Sequence, residues 1–241
     1  MELEEFSTKL NNMAKKMGIE LKDEEVSDFY KYMNLLIKWN ENVNLTAITE
    51  PNDIIVKHFI DSLTIQKYIT KKSAIIDIGT GAGFPGVPIG IINSDCNVTL
   101  MDSLNKRIKF LNEVITTIKI DMNVKAIHAR AEELAKNIQY REKYDIATSR
   151  AVASLNVLLE YMLPFVKVGG YAICMKGSNV DDEVMCCKKA LSVLGGSIEK
   201  IDSFTLPGTD FARNIVVVKK VRKTSSKYPR KAGMPTKEPI A

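Results

Sequence analysis

Apolar residues recur at helical spacing through the first part of the chain, then give way to short apolar runs separated by helical stretches. Leu3, Phe6, Leu10, Met13 and Met17 follow at three- and four-residue intervals, and Val26, Phe29, Met33 and Leu36 repeat the pattern. Each set marks one face of an amphipathic helix, and Asp23 stands where the second helix needs its cap. Residues 1–70 are therefore expected to form a helical extension, a lid or brace whose stripes serve mainly as packing surface. From Ser73 to about Val221, apolar segments near Ala74, Val98, Val124, Tyr144, Tyr171 and Asn214 alternate with helical patterns. That alternation implies crossover βαβ units and a mainly parallel sheet in an α/β domain spanning 71–222. Gly169-Gly170 is read as the turn before the fifth strand, and Gly195-Gly196 as the opening of a final hairpin. Residues 223–241 form a basic tail, and Pro229, Pro235 and Pro239 argue that it is extended.

The most informative segment follows the run Ala74-Ile75-Ile76. It reads Asp77-Ile78-Gly79-Thr80-Gly81-Ala82-Gly83, an acid and then three glycines at alternate positions. Such glycines let the main chain turn tightly and approach a ligand that a Cβ would keep away, and Pro85 suits the first turn of a helix. Two ligands compete for this turn. Gly81, Gly83 and Gly86 satisfy the dinucleotide pattern G-x-G-x-x-G. Counted from Gly79, the glycine directly after the strand, Phe84 falls where that pattern needs a small residue for close packing. Asp77 also repels a pyrophosphate and attracts an ammonium group, which favours S-adenosylmethionine over a nicotinamide dinucleotide. A glycine-rich turn without a ligand is the plainer alternative. The candidate cofactor residues here are Asp77, Gly79, Thr80, Gly81 and Gly83.

Val98-Thr99-Leu100-Met101 ends in Asp102, at about the distance expected of a carboxylate that grips ribose hydroxyls. Asp102 or Ser103 also suits the cap of a helix marked by Leu104, Ile108, Leu111, Ile115 and Ile118, and the two roles are compatible. A third run leads into Arg130-Ala131-Glu132, where this architecture meets an adenine ring, and a fourth into Ser149-Arg150-Ala151.

Composition narrows the setting. A chain of 241 residues with 45% hydrophobic content can bury one large core plus an appendage. Met1-Glu2-Leu3-Glu4-Glu5 is acidic, and no apolar run nears the ~20 residues of a membrane span, so a soluble cytoplasmic protein is expected. Cys96, Cys174, Cys186 and Cys187 show neither C-x-x-C spacing nor a disulfide framework. Cys174 reads as a small buried hydrophobe; a pyrimidine-attacking nucleophile is the sharper alternative, disfavoured because a strand interior hides the sulfur. With only His58 and His128 as histidines, no metal site is expected. Charge is uneven: from Arg213 onward nine basic residues face one acid, giving +8 in a chain of net +5 and leaving −3 for the rest. A cationic end of this kind suits nucleic acid through counterion release, although a solvated tail is the default reading of charge alone. Tyr228 among those cations could stack on an unpaired base.

Seven segments in order carry a resemblance. They are Lys38-Trp39-Asn40 with Asn44-Leu45-Thr46, Lys57 to Leu63, Asp77 to Gly86, Asp102 to Arg107, Arg130-Ala131-Glu132, Ser149-Arg150-Ala151, and Lys227 to Pro235. Together they resemble the glucose-inhibited division protein B family, bacterial methyltransferases that modify guanine N7 in 16S ribosomal RNA, and they span nearly the whole chain. The resemblance implies a Rossmann-like class I S-adenosylmethionine-dependent methyltransferase fold, with a mainly parallel seven-stranded sheet, helices on both faces and an antiparallel last strand. It implies that Gly79, Phe84, Ala131, Glu132 and Arg150 line the S-adenosylmethionine site. Its partner is 16S ribosomal RNA or the small-subunit particle, and the chain is expected to act as a monomer. Asn40, Asn44, Lys57 and His58 are placed toward the base by analogy, with Lys57 where many relatives carry arginine. From the tail, Arg213, Arg222, Lys227, Tyr228, Arg230 and Lys231 are the candidate RNA contacts. Guanine N7 carries a lone pair and no proton, so no catalytic base is required, and Arg150 is expected to orient rather than titrate. A small-molecule or other RNA methyltransferase, a dehydrogenase and a non-enzymatic RNA-binding module are the competing classes.

Overall fold

A computed structural model describes residues 1–178 and 180–240. Seven strands form one sheet: β1 (Ala74–Ile78), β2 (Asn97–Asp102), β3 (Val124–His128), β4 (Tyr144–Arg150), β5 (Val166–Lys176), β6 (Gly196–Thr205) and β7 (Ala212–Lys220). Their order is β3-β2-β1-β4-β5-β7-β6, with β1 to β5 parallel and β7 antiparallel to both neighbours. Order reverses between β1 and β4, where α/β sheets open a crevice at their carboxyl ends.

Strand residues alternate between two cores. Ile75, Val98, Leu100, Ile146, Ile173, Ile215 and Val217 point to one side, and Ile76, Met101, Ala147, Cys174, Val216 and Val218 to the other. The first core is completed by α1 (Leu3–Lys16) and α2 (Asp23–Val43), whose Phe6, Leu10, Phe29, Tyr32 and Leu36 are buried against it. The expected extension is therefore a structural layer of the same body, since its stripes share one cluster with the sheet. The N-terminal cap of α2 differs from expectation: Asp23 is the first helical residue, the cap position falls on Lys22, and the Lys22 N–H donates to Glu25 Oε2 at 2.9 Å.

Between α2 and β1 the chain runs through helical Pro51–Ile54, a π-helical turn at Ile55–Ile60 and a short helix Asp61–Leu63. The wider turn carries Lys57 and His58, and π-turns inside helices are recurrently found at functional sites.

Two sequence expectations are corrected. Gly169-Gly170 lies inside β5, which already begins at Val166. A Cβ on Gly170 would stand 2.5 Å from the Asp145 carbonyl, so the glycine permits close passage of β4 where the pairing shifts register between Tyr144 and Ile146. The segment after β7 is not uniformly extended: Met234–Lys237 is helical, and Pro235 sits in its first turn, where a missing N–H costs nothing. The outer strand β6 shifts register between Ile198 and Lys200.

Candidate active site

The turn after β1 is shaped by its glycines. Gly79 and Gly81 hold φ of +67° and +63°, which side chains rarely adopt. A Cβ on Gly79 would stand 2.7 Å from Val152 Cγ2, whereas one on Gly81 would project into open space. The Gly81 N–H donates to Asp102 Oδ2 at 2.9 Å, tying the turn to the end of β2.

Three expected cofactor residues turn out to frame this turn from within. Asp77 is fully buried, and its Oδ2 accepts from the Thr80 hydroxyl at 2.6 Å and the Gly86 N–H at 2.8 Å. Burial pushes its carboxyl up to about 6, against those two hydrogen bonds. Its Oδ2 is thus taken up beneath the turn, while its buried Oδ1 has no hydrogen-bond partner among the described residues. Thr80 follows it inward. Gly83 permits packing, since a Cβ there would stand 2.7 Å from Tyr32 Oη and 2.6 Å from Val87 Cγ2.

A cavity of about 180 Å³ opens at the carboxyl ends of β1, β2 and β3. Gly79, Asp102, Ser103, Ala131 and Glu132 line it, as do Tyr161 and Val152, which the sequence reading passed over. Asp102 accepts from the Leu104 N–H on Oδ1 at 2.9 Å, and from Gly81 and the Arg107 guanidinium on Oδ2 at 2.9 and 3.0 Å. A carboxylate offers about four acceptor directions, and three of those on Asp102 are taken by these donors. Val152, on the loop after β4, forms one wall; in that loop Ala151 holds a strained φ of +56° and Lys176 Nζ donates to the Ala153 carbonyl at 2.9 Å.

On the other side of Arg150 lies a second cavity of about 380 Å³, lined by Lys57, His58, Asp61, Arg150, Arg213 and Asn214 among others. Asp61, 4% exposed, accepts from Arg150 Nη1 at 2.9 Å and from Arg213 Nε at 2.8 Å, so one carboxylate fixes two guanidinium groups. Arg150 lies over the Phe84 ring at 5.1 Å, and Phe84 stacks on His58 at 4.2 Å. Phe84 thus supports the site from below. Arg150 Nη2 is 3.0 Å from His58 Nδ1; because guanidinium only donates, Nδ1 accepts and the ring proton sits on Nε2, which donates to Thr46 Oγ1 at 2.9 Å. Burial and the Arg150 charge hold His58 down to about 3, so the ring is neutral. Asp61 stood inside a recognised motif, but no spacing rule marks a carboxylate that pairs across 89 and 152 residues.

The remaining expected RNA contacts divide. Lys57 lines the second cavity, pairs with Asp53 at 2.9 Å and sits 5.3 Å from the Phe211 ring. Lys227 and Lys231 are exposed. Asn40 instead clamps the turn after α2, its Oδ1 accepting from Leu45 and Thr46 and its Nδ2 donating to the Thr46 carbonyl. Asn44 is exposed in the left-handed conformation that ends α2. Arg222 donates to the Ser192 carbonyl, Tyr228 packs on the second core, and Arg230 pairs with buried Glu160 at 2.6 Å. These three each hold a contact within the fold, with Arg222 exposed and Tyr228 and Arg230 half-buried. Cys174 is buried beside Met162, and burial pushes its thiol up to about 12, which excludes the nucleophile reading. Among the described residues, no cluster of three or more His, Cys, Asp or Glu side chains has metal-binding geometry, and no helix is long and apolar enough to cross a membrane.

A glycine turn and acidic strand end facing a crevice where strand order reverses, in this seven-stranded sheet, define the fold of class I S-adenosylmethionine-dependent methyltransferases. Solved structures agree on the fold. A SAM-dependent methyltransferase from Aquifex aeolicus superposes with a TM-score of 0.53 at 13% identity over 73% of this chain and 96% of that one. Geranyl diphosphate C-methyltransferase from Streptomyces coelicolor superposes with a TM-score of 0.53 at 12% identity over 79% and 98%. The profile of the GidB family, described as rRNA small subunit methyltransferase G, matches residues 25–216, and the chain belongs to that family. Proteins named ribosomal RNA small subunit methyltransferase G are 52% identical in Desulforamulus reducens, over 99% of this chain and 100% of that one, and 54% identical in Acetivibrio thermocellus, over 94% and 93%.

Proposed function

We propose that the protein transfers the methyl group of S-adenosylmethionine to N7 of a guanine in 16S ribosomal RNA. The observation that carries this reading is a pair of cavities flanking the end of β4: an acid-lined one beside the glycine turn that includes Val152, and a cation-lined one that includes Arg150 and Ala151. Bound S-adenosylmethionine supplies an electrophilic methyl group on a positively charged sulfur. Asp102 offers acceptors to ribose hydroxyls, and Glu132 and Tyr161 form the far wall. Arg150, held by Asp61, His58 and Phe84, presents a fixed cation at the boundary. In the transfer the N7 lone pair forms the new bond to carbon, the sulfur–carbon bond breaks, and positive charge passes to the purine.

No proton leaves, which accords with the site's chemistry: its histidine is neutral and already bonded at both nitrogens. Rate enhancement then comes from alignment and water exclusion, worth roughly 7–11 kcal/mol for well-oriented groups. Paired A-form RNA hides N7 in its deep groove, so the target guanine is unpaired or splayed into the second cavity. The acting unit is the single chain in the cytoplasm, on 16S RNA or the small-subunit particle.

The test is methylation of 16S RNA from cells lacking the enzyme, with labelled donor and mass mapping of 7-methylguanine. Incorporation at one guanine, absent with RNA from normal cells, is the expected result. Methylation of a small molecule with none on RNA would replace this reading.

A further inference from the structure

The segment after β7 is fastened to the body along its length. Arg141 donates from Nη1 to the Tyr228 carbonyl at 2.9 Å and from Nη2 to the Thr224 carbonyl at 2.8 Å. Buried Lys220 donates to Thr224 Oγ1 at 2.6 Å. Arg230 then meets Glu160, a fully buried carboxylate on the helix Leu155–Met162, with its backbone N–H at 2.8 Å and its guanidinium at 2.6–3.2 Å. A carboxylate so enclosed requires its cation, and the pairing fixes the segment's height above the helix.

Beyond that anchor the chain reaches the cofactor cavity. Gly233, at φ +82°, turns its N–H toward Glu132 and donates to Oε1 at 3.1 Å. Thr236 Oγ1 lies 3.0 Å from Tyr161 Oη. Glu132 and Tyr161 both line the cavity beside the glycine turn. A glutamate recruited by a ligand ordinarily loses rotamer freedom on binding; with one oxygen already held by Gly233, that loss is borne by the fold and the other oxygen stays available.

We infer that Tyr228–Lys237 is a strap that positions the wall of the donor site, Arg230 acting as its anchor and Gly233 and Thr236 holding Glu132 and Tyr161. The inference rests on reading that cavity as the S-adenosylmethionine site. It gives the conspicuously basic end of the chain a role in holding the small donor that its charge alone does not suggest.

Titration calorimetry of the full-length protein with S-adenosylmethionine, paired with anisotropy on a 16S RNA fragment, tests it. Arg230→Ala should weaken donor affinity about tenfold, and Thr236→Val, which removes one exposed hydrogen bond, about threefold, consistent with the worth of single hydrogen bonds. RNA affinity should change less than about twofold in both, and Arg230→Lys should recover part of the loss. Thermal unfolding reports whether Arg230→Ala is folded; if it is not, Thr236→Val decides alone. Wild-type donor affinity in the folded variants would overturn the strap, as would a loss confined to RNA binding. Wild-type protein that binds no S-adenosylmethionine would instead overturn the functional reading.

Discussion

At the scale of single residues, the arrangement around His58 makes a definite pH statement. Burial disfavours a charged ring, and protonation would also set a second cation 3.0 Å from the Arg150 guanidinium; together these hold the ring down to about 3. In the unfolded chain the same ring protonates near 6.5. The unfolded state therefore binds a proton that the native state refuses between those values. Its contribution to stability is fully present above about pH 6.5 and is lost as pH falls toward 3. The difference in unfolding free energy between wild type and His58→Gln, from denaturant titrations, should be flat above pH 7 and change by at most about 1.4 kcal/mol per pH unit inside the window. Identical pH dependence in the two proteins would show that the ring is not held neutral. Asp61 gives the companion lesson about what a sequence can disclose. Its neighbours His58 and Arg150 were singled out from their motifs, but a carboxylate shared by two distant arginines is a product of chain return, which has no local signature.

At the scale of elements, α2 does more than cover the sheet. Tyr32, wholly buried, donates its hydroxyl to the Ala82 carbonyl at 2.5 Å and packs against Phe59, Phe84 and Phe110. The helix thereby grips the glycine turn from behind. Tyr32→Phe keeps the ring but leaves that carbonyl without its donor, at a cost of about 1–3 kcal/mol. Chemical denaturation should show this loss, and calorimetry a severalfold weaker S-adenosylmethionine affinity; unchanged donor binding would mean the turn holds its shape unaided. Periodicity located α1, α2 and the strands because each element's apolar face is written in successive residues. It could not locate the π-turn at Ile55–Ile60, which depends on how Phe59 and Ile60 seat in the core, or the start of β5, where glycines that look like a break serve close strand passage. Similarly, the glycine turn was legible as a tight turn after β1, while the packing inside it was not. Asp77 and Thr80 are buried beneath it and Gly83 makes room for Tyr32 and Val87, relations that become visible only in three dimensions.

For the whole molecule, charge and fold are organised separately. Of the basic residues beyond β7, Arg222 and Arg230 are bound to the body, while Lys223, Lys227, Lys231 and Lys237 are exposed, and among the described residues none of these four lysines forms an ion pair. If those lysines meet phosphates of an unpaired strand, the logarithm of RNA affinity should fall against the logarithm of salt concentration with a slope of about −3. Lys227→Ala with Lys231→Ala should flatten that slope by about 1.4 without altering donor affinity, as read by anisotropy at several salt concentrations. A slope unaffected by the pair would move the RNA footprint elsewhere. Charge alone left a solvated tail as the default reading and the family resemblance pointed to RNA, but neither told which cations are free to meet it. One further consequence belongs to β6. A sheet margin with regular pairing groups invites a neighbouring molecule to extend it, yet here the ladder is dislocated at Ile198–Lys200 and flanked by the charged side chains of Glu199 and Lys200. Another copy approaching that rim would find its hydrogen-bonding rhythm broken and its approach opposed, so the margin is shielded against edge-to-edge extension by a neighbouring chain.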